Sequence, residues 1–173
     1  MAEKPSYEEL ERRVQELETD SLQQKLHEAR FFSEEIMMYM TEGLVLTDTR
    51  ETVIFINQRL SEMLGYQPEQ IIGKCWLDMV SPEQQAIAQE VVARRARGHT
   101  DRYEILLCHK DGHKVPVLIG AGPRFDKQSG EFLGTMGVVN DITERKHMEE
   151  ALQEKTNFLQ NIIDTASDLV SVT

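Results

Sequence analysis

The sequence feature that most constrains the fold is a change of pattern at residues 140–146, where a β-like run gives way to a helical one. Residues 132–139 read Phe-Leu-Gly-Thr-Met-Gly-Val-Val, and this mixture of β-branched and apolar residues predicts a strand. After Thr143 the apolar residues recur every three or four positions, which is the period of a helix. Asp141 or Thr143 can cap that helix, and Asp141 can pair with Arg145 four residues on. By itself this pattern is an ordinary strand-to-helix boundary.

Length, charge and cysteine content exclude several classes of protein. A chain of 173 residues suffices for one compact domain with extensions. Its net charge of −11 argues against a nucleic-acid partner, because phosphates require a basic face. The basic cluster of Arg94, Arg95 and Arg97 is predicted at a helix C-terminus, where cations complement the dipole. Cys75 and Cys108 are far apart and predict reduced thiols, which suit the cytosol. With neither a signal peptide nor an apolar run of ~18 residues, we expect a cytoplasmic protein without a membrane segment.

Two polar segments, residues 1–40 and 143–166, carry the apolar spacing of coiled coils. In the first segment, Ser6 is predicted to cap a helix. The apolar spacing that would form the coiled-coil seam of this helix is interrupted after Leu17. In the second, the alternation of three- and four-residue steps has one polar member, Lys155. We predict that these stripes pair in a parallel homodimer; folding of the second helix onto its own domain is the alternative. The predicted seam residues are Leu10, Val14, Leu17, Leu22, Leu26, Ile36, Met148, Leu152, Leu159 and Ile162.

Three further motifs precede the joint in a fixed order. The first is residues 43–48 (Gly-Leu-Val-Leu-Thr-Asp) with 53–57 (Val-Ile-Phe-Ile-Asn), the second is 64–66 (Leu-Gly-Tyr) with 71–74 (Ile-Ile-Gly-Lys), and the third is 110–112 (Lys-Asp-Gly) with 115–117 (Val-Pro-Val). Together with the joint they resemble the PAS sensor family over residues 41–146. The resemblance implies an α+β fold, in which a five-stranded antiparallel sheet is flanked by helices and a pocket lies between them. We therefore predict a PAS domain at residues 41–142, followed by a linker helix at 143–166.

Two positions depart from the family pattern. Pro116 lies in a predicted strand, where it cannot donate to a β-ladder. Glu51 stands where the first hairpin of the family usually has glycine. We expect both residues to affect local strand geometry but not the fold.

The resemblance also implies which residues line the pocket. Among them, Tyr66, Trp76 and Tyr103 carry polar groups that can orient a small organic ligand. The alternative is that these side chains fill one another's space and no ligand exists. The candidate lining consists of Ile56, Leu60, Met63, Tyr66, Trp76, Met79, Val91, Tyr103, Ile105, Val117, Met136 and Val138.

Residue tests disfavour the two cofactors common in such pockets. The flavin-binding branch has an Asn-Cys-Arg-Phe-Leu-Gln segment, whereas Cys75 stands where that branch has asparagine and no Arg-Phe follows. Haem needs an axial ligand, and the predicted long helix at residues 82–97 has no histidine. We therefore predict no cofactor, while an unknown small organic ligand remains open.

A metal site and a catalytic site are not predicted either. His109 and His113 lie at the two ends of a predicted hairpin, where side chains are usually solvated. Cys108 and His109 are neighbours on a predicted strand, where adjacent side chains point to opposite faces, so we do not expect them to share an ion. No phosphate loop, nucleophile elbow or histidine phosphoacceptor block occurs, so this chain is not expected to be an enzyme.

The C-terminal tail carries an indication of a longer parent protein. Residues 158–173 resemble the entry helix and first strand of another PAS domain, with residues 167–173 as the truncated start. We expect a sensing and dimerisation module that acts through Asp141, Thr143 and Arg145 on an output domain in the same chain, a histidine kinase. The alternatives are a ligand-free dimerisation or scaffold module, or a sensor for a diguanylate cyclase or transcription regulator.

Overall fold

The secondary structure comes from a computed structural model, which describes residues 6–95 and 97–171, without the side chains of residues 8, 10 and 164–171. Its α-helices are α1 (Tyr7–Tyr39), α2 (Gln58–Leu64), α3 (Pro68–Ile71), α4 (Gln85–Arg95) and α5 (Thr143–Ser171). Its strands are β1 (Gly43–Thr47), β2 (Val53–Ile56), β3 (Asp101–Cys108), β4 (Lys114–Phe125) and β5 (Phe132–Asp141). Short 3-10 helices occupy Trp76–Met79 and Pro82–Gln84. The chain divides into two units, residues 1–40 and 41–173.

The five strands form one antiparallel sheet in the order β2-β1-β5-β4-β3. The last strand, β5, lies at the centre and pairs with β1 on one side and β4 on the other. The segment between β2 and β3 supplies α2, α3, both 3-10 helices and α4. The predicted α+β fold, with a five-stranded antiparallel sheet and flanking helices, is confirmed.

The core lies between one face of this sheet and the helices that connect β2 to β3. Side chains that alternate along a strand point to opposite faces, so every second strand residue enters the core. The sheet contributes Val45, Ile105, Leu107, Val115, Val117, Ile119 and Val139, and the connecting segment contributes Leu60, Leu64, Ile71, Trp76, Met79 and Ala88.

Asn57 fixes the first helix of the connecting segment against the sheet. Its Oδ1 accepts hydrogen bonds from the backbone N–H of Leu60 (3.1 Å) and of Leu44 (2.8 Å). Its Nδ2 donates to the carbonyl of Glu42 at 3.0 Å. One buried amide therefore caps α2, as the sequence predicts, and also ties that helix to β1.

Pro116 is tolerated in β4 because its ring nitrogen faces the point where β5 ends. The Pro116 carbonyl accepts a hydrogen bond from the N–H of Ile142 at 3.0 Å, one residue beyond β5. The N–H and C=O groups of one strand residue point to the same side, so the missing donor faces this end and interrupts no strand pair. Leu106 of β3 is paired with Pro116 but does not need its missing N–H. The N–H of Leu106 donates to Gln84 Oε1, and the carbonyl of Leu106 accepts a hydrogen bond from the N–H of Ser81.

The N-terminal helix α1 begins as predicted, with Ser6 Oγ accepting a hydrogen bond from the N–H of Glu9 at 3.2 Å. The predicted seam residues of α1 and α5 are largely exposed in the single chain, while the side chain of Leu10 lies outside the described residues. The exposed ones are Val14, Leu17, Leu22, Leu26, Ile36, Met148, Leu152, Leu159 and Ile162. Within the described ranges, no helix has the length and apolar character needed to cross a membrane.

The C-terminal helix α5 extends further than predicted. It runs to Ser171, so residues 167–171 are helical instead of opening a strand, and residues 172–173 lie outside the described residues. A single strand without a partner cannot form a sheet, so the helix continues through this segment. Whether the tail opens a second PAS domain stays a prediction.

Candidate functional site

The interior of the domain holds a buried polar cluster between the sheet and α4. Glu51 lies just before β2, and its two carboxylate oxygens accept hydrogen bonds from Thr47 Oγ1 (3.4 Å) and Thr135 Oγ1 (3.2 Å). Arg95, in the last turn of α4, is only 2% exposed and donates to the hydroxyl of Tyr103. The Arg95 guanidinium carbon also lies 5.5 Å from the centre of the Tyr103 ring. This polar cluster brings together residues of β1, β3, β5 and α4.

Glu51 occupies a backbone conformation that glycine adopts easily and glutamate rarely does. Its φ is +60°, in the left-handed region, and no other described non-glycine residue has a positive φ. A side chain in that region costs roughly 1–2 kcal/mol, so the surrounding contacts must hold it there. The Glu51 carbonyl accepts a hydrogen bond from the N–H of Trp76 at 2.9 Å, which anchors the strained residue to the first 3-10 helix.

Burial controls the ionisation of the polar cluster. The pKa of Glu51 is raised above its usual 4.5 mainly by burial, while the positive charge of Arg95 and the two threonine hydroxyls lower it in part. The pKa of Tyr103 is likewise raised by burial, and Arg95 again opposes the shift. Glu51 is therefore the carboxyl group of this cluster whose proton uptake is favoured by its surroundings.

A small cavity of about 10 Å³ lies among these polar residues, lined also by Trp76, Ile119, Ala121 and Gly137. That volume matches roughly one water-sized sphere. Two buried donors on its lining residues, Arg95 Nε and Trp76 Nε1, have no hydrogen-bond partner within the described part of the chain. Buried donors are normally paired, so this cavity suits a small group that offers acceptor oxygens.

The ten predicted pocket residues outside β5 divide into three groups. Trp76 and Tyr103 line the cavity. A second group is buried in the core or in α4, and Met63 and Tyr66 pack against that core half-buried. The buried members are Ile56, Leu60, Met79, Val91, Ile105 and Val117.

The prediction for β5 was wrong in its phase. Met136 is 47% exposed and Val138 is only half-buried, whereas Thr135, Gly137 and Val139 face inward. The strand carries apolar residues on both faces, so hydrophobicity alone cannot choose between the two phases. A one-residue change of phase moves every side chain to the opposite face.

Arg95 and Glu51 are the interior residues that sequence reasoning missed. We interpreted the cluster of Arg94, Arg95 and Arg97 as cations that complement the end of a helix. Arg94 follows that interpretation and pairs with Asp101 at 2.7 Å, but Arg95 points inward from the same turn. The unusual Glu51 was the available signal, because a glutamate in place of glycine requires a compensating contact.

The joint after β5 connects the sheet to α5 by three kinds of contact. Asp141 Oδ1 accepts a hydrogen bond from the N–H of Thr143 at 2.8 Å, which confirms the predicted cap. Ile142 is buried and donates its N–H to Pro116. Within the described residues, Arg145 pairs with Glu104 of β3 (2.5 Å) and with Glu149 (3.1 Å) rather than with Asp141, so that predicted pair was wrong.

Glu104 of β3 is the partner of the joint that the sequence did not reveal. Its carboxylate also binds Lys146 Nζ at 2.7 Å, so two cations of the first turn of α5 converge on one residue of β3. These two donors, Lys146 first and Arg145 second, lower the pKa of Glu104 to about 2. The pairing could not be predicted because Glu104 and Arg145 are 41 residues apart in the sequence.

The hairpin between β3 and β4 also differs from expectation. His113 is exposed, as predicted, but the side chain of His109 is only 17% exposed. Its ring packs against Gly65 at the end of α2, where even an added Cβ would collide with it. Both imidazoles converge on Asp111, and the two cysteines are free and half-buried.

Comparisons with known proteins agree with this architecture. The chain is 24% identical over 157 residues to a sensor protein kinase WalK of Staphylococcus aureus, which covers 91% of this chain and 34% of that protein. In the same kinase of strain JH9 the chain spans 23% of the length.

Two solved structures show the same fold. The PAS domain of a protein from Colwellia psychrerythraea matches with a TM-score of 0.61 at 24% identity, covering 67% of this chain and 98% of that one. A light-oxygen-voltage domain described with a flavin analogue matches with a TM-score of 0.58 at 17% identity, covering 71% and 93%.

A family model described as PAS domain matches residues 41–144. Those residues contain the complete sheet, the polar cluster and the first part of the joint, up to Glu144. Because the match extends over more than half of the 173 residues, this chain belongs to the PAS domain family.

Proposed function

We propose that this PAS domain is a signal-sensing and dimerisation module that passes a change in its interior through residues 140–146 to α5 and to an output domain in the same chain, a histidine kinase. The observation that carries the proposal is the attachment of α5 to the sheet. Ile142 is bonded to β4, and Arg145 and Lys146 are bonded to Glu104 of β3. A displacement of those strands therefore changes the position of the helix start.

The attachment can be tested on a longer protein that contains this chain and its kinase. Glu104→Gln removes the carboxylate that joins β3 to α5, whereas Glu149→Gln removes only pairs within α5. We expect Glu104→Gln to change the autophosphorylation rate and its response to signal, with Glu149→Gln remaining close to wild type. Equal effects of the two variants would exclude a special role for the link between strand and helix.

The proposed input is a small polar molecule that binds in the interior. Support comes from the unpartnered donors Arg95 Nε and Trp76 Nε1 and from the strained, buried Glu51 that lines the same cavity. A signal can shift the equilibrium between two states only if it binds them unequally. A ligand acceptor that binds Arg95 would compete with the Glu51 carboxylate for that positive charge. Such a ligand meets this condition, because it would release the left-handed Glu51.

The alternative is a ligand-free dimerisation or scaffold module. It is favoured by the cavity of about 10 Å³, which leaves room for a water-sized group only. Native mass spectrometry of the purified chain, followed by denaturation to identify any released molecule, separates the two functions. A bound organic molecule that Arg95→Met abolishes supports sensing, and an empty domain in every preparation supports the alternative.

Dimerisation is proposed from the apolar stripes of α1 and α5, whose described members are exposed in the single chain. A helix with a single apolar stripe is stable when that stripe is buried against a partner. We propose a parallel pairing of two copies through these stripes, which places both output domains on the same side.

Sedimentation tests this pairing with two charge insertions on α5. Leu152→Asp places a carboxylate in the stripe, and Asn157→Asp adds the same charge outside it. We expect a monomer for Leu152→Asp and a dimer for Asn157→Asp and the wild type. A monomeric wild type at high micromolar concentration would refute the dimer.

The remaining parts of the proposal concern the context of the domain. The chain spans 34% and 23% of the two kinase sequences, which supports a regulatory role within a longer protein whose other parts carry catalysis. A diguanylate cyclase or a transcription regulator remains the alternative output. Free cysteines at positions 75 and 108 suit a reducing compartment, so we propose a cytoplasmic location.

A further inference from the structure

The hairpin between β3 and β4 carries a cluster of ligand atoms outside the interior site. His109 Nδ1 and His113 Nδ1 lie 2.8 and 2.6 Å from the same carboxylate oxygen of Asp111. The two imidazole rings are stacked, with their centres 4.2 Å apart. One ligand atom from each of the three residues lies within 4.8 Å of the others.

The backbone of the hairpin produces this convergence. The N–H of His109 donates to the carbonyl of His113 at 2.9 Å, so the two residues face each other across the hairpin and their side chains leave on the same face. Gly112, with a φ of +95°, completes the tight turn, and its N–H donates to the carbonyl of His109. Asp111 is part of the turn, and its Oδ1 also accepts a hydrogen bond from the backbone N–H of His113 at 3.2 Å.

One of the two imidazoles is held in position by the rest of the domain. The Nε2 edge of His109 packs against Gly65, and the neighbouring Lys110 donates its N–H to the carbonyl of Leu64 at 3.0 Å. This arrangement directs Nδ1 of His109 away from the helix and toward Asp111. A ligand atom fixed in this way loses less conformational freedom when it binds an ion.

From this geometry we propose that His109, Asp111 and His113 form a surface site for a divalent transition-metal ion of the Zn²⁺ class. Two imidazole nitrogens and one carboxylate oxygen are ligands that Zn²⁺ accepts, with a solvent molecule in the fourth position. Ligand atoms around tetrahedral zinc are roughly 3.3 Å apart. The present separations of 2.6 and 2.8 Å therefore need to open by about 0.5–0.7 Å, which small side-chain rotations provide.

This site differs from the metal cluster that the sequence argument rejected. That cluster included Cys108, the neighbour of His109 in the chain, and neighbouring residues of an extended strand point to opposite faces. The site proposed here takes Asp111 in place of the thiol, and the turn brings that carboxylate to the face that both histidines share.

The proposal is tested by calorimetric titration of Zn²⁺ into the whole 173-residue chain, with both cysteines replaced by serine so that thiolate binding does not contribute. The pH is kept above the usual pKa of histidine. We expect one ion per chain, and His113→Ala should weaken binding by more than about tenfold. His99→Ala, which removes an exposed histidine outside the cluster, is the matched control and should leave the affinity unchanged.

Co²⁺ gives a second measurement that does not depend on affinity alone. Its visible absorption reports the coordination geometry, and we expect a signal that Asp111→Ala removes and His99→Ala retains. His113 is more than half exposed, so His113→Ala should keep the wild-type circular dichroism spectrum. Equal zinc affinity in His113→Ala and in His99→Ala, or no binding at high micromolar zinc, would overturn the proposal.

Discussion

Substitutions of Glu51 separate the cost of its backbone from the contribution of its side chain. Glu51→Ala keeps a Cβ at a φ of +60° but deletes the bonds to Thr47 and Thr135. With each buried hydrogen bond contributing about 1 kcal/mol, we expect a loss of about 2 kcal/mol of unfolding free energy. Glu51→Gly deletes the same bonds but also relieves about 1 kcal/mol of left-handed strain, so its loss should be about 1 kcal/mol.

Glu51→Gln provides the matched control, because an amide keeps the shape of the side chain and one acceptor oxygen without the buried charge. Burial raises the pKa of Glu51, so the charged form is disfavoured by its surroundings and the glutamine variant should be at least as stable as wild type near neutral pH. The order of stability should therefore be glutamine, glutamate, glycine and alanine at position 51. Urea unfolding followed by circular dichroism measures all four proteins.

Two outcomes would refute this reasoning about Glu51. Equal stability of the alanine and glycine variants would mean that the residue is not in the left-handed region. An alanine variant as stable as wild type would mean that the carboxylate forms no useful bonds with the two threonines. Either result would also remove the proposed competition between a ligand and Glu51.

Three further predictions follow from the fold and the joint. The pKa of Glu51 is raised in the folded state, so the stability that this residue provides is complete below the unfolded pKa near 4.5 and is lost as the pH rises through the folded pKa. The unfolding free energy of wild type minus that of Glu51→Gln should therefore fall with rising pH. A difference that does not change with pH would contradict the raised pKa. Gly134→Ala, at a φ of +116°, would drive a Cβ into a backbone carbonyl of β1 and should cost about 3 kcal/mol or more. Gly130→Ala, at a φ of +71°, has open space around the new Cβ and should cost about 1 kcal/mol. Similar melting temperatures of the two variants would refute the close approach at Gly134. Asp141→Ala should cost about 1 kcal/mol by removing the cap of α5, with Asp141→Asn nearly neutral because its amide oxygen can still accept the bond; chemical denaturation of both variants is the check.

Local patterns in the sequence were sufficient where one residue determines the geometry. The Asn57 cap and the Asp141 cap were both predicted from a side-chain acceptor that precedes a helical period. The PAS fold and its five-stranded sheet were implied by the resemblance of four motifs, in their order along the chain, to the PAS family. Such signals depend on neighbours within a few positions.

The interior and the joint depended on contacts that the sequence does not encode locally. Arg95 and Glu51 are 44 positions apart, and although Glu51 indicates an unusual contact, nothing in the sequence identifies Arg95 as its neighbour in the core. The inward phase of β5 was misassigned because Met136 and Val138 are as apolar as the residue that faces the core, Val139. Glu104 was missed because an exposed acid on a strand has many possible partners.

The central place of β5 has a consequence for how this domain is assembled during synthesis. Two hairpins, β1 with β2 and β3 with β4, are complete before β5 leaves the ribosome. In the finished sheet these two hairpins are not adjacent, because β5 lies between them. Only the last ten residues of strand, Phe132–Asp141, join the two halves, and the domain cannot close until they have emerged. Nascent chains that stop before this strand would expose two unpaired edges, which chaperones recognise and proteases cut.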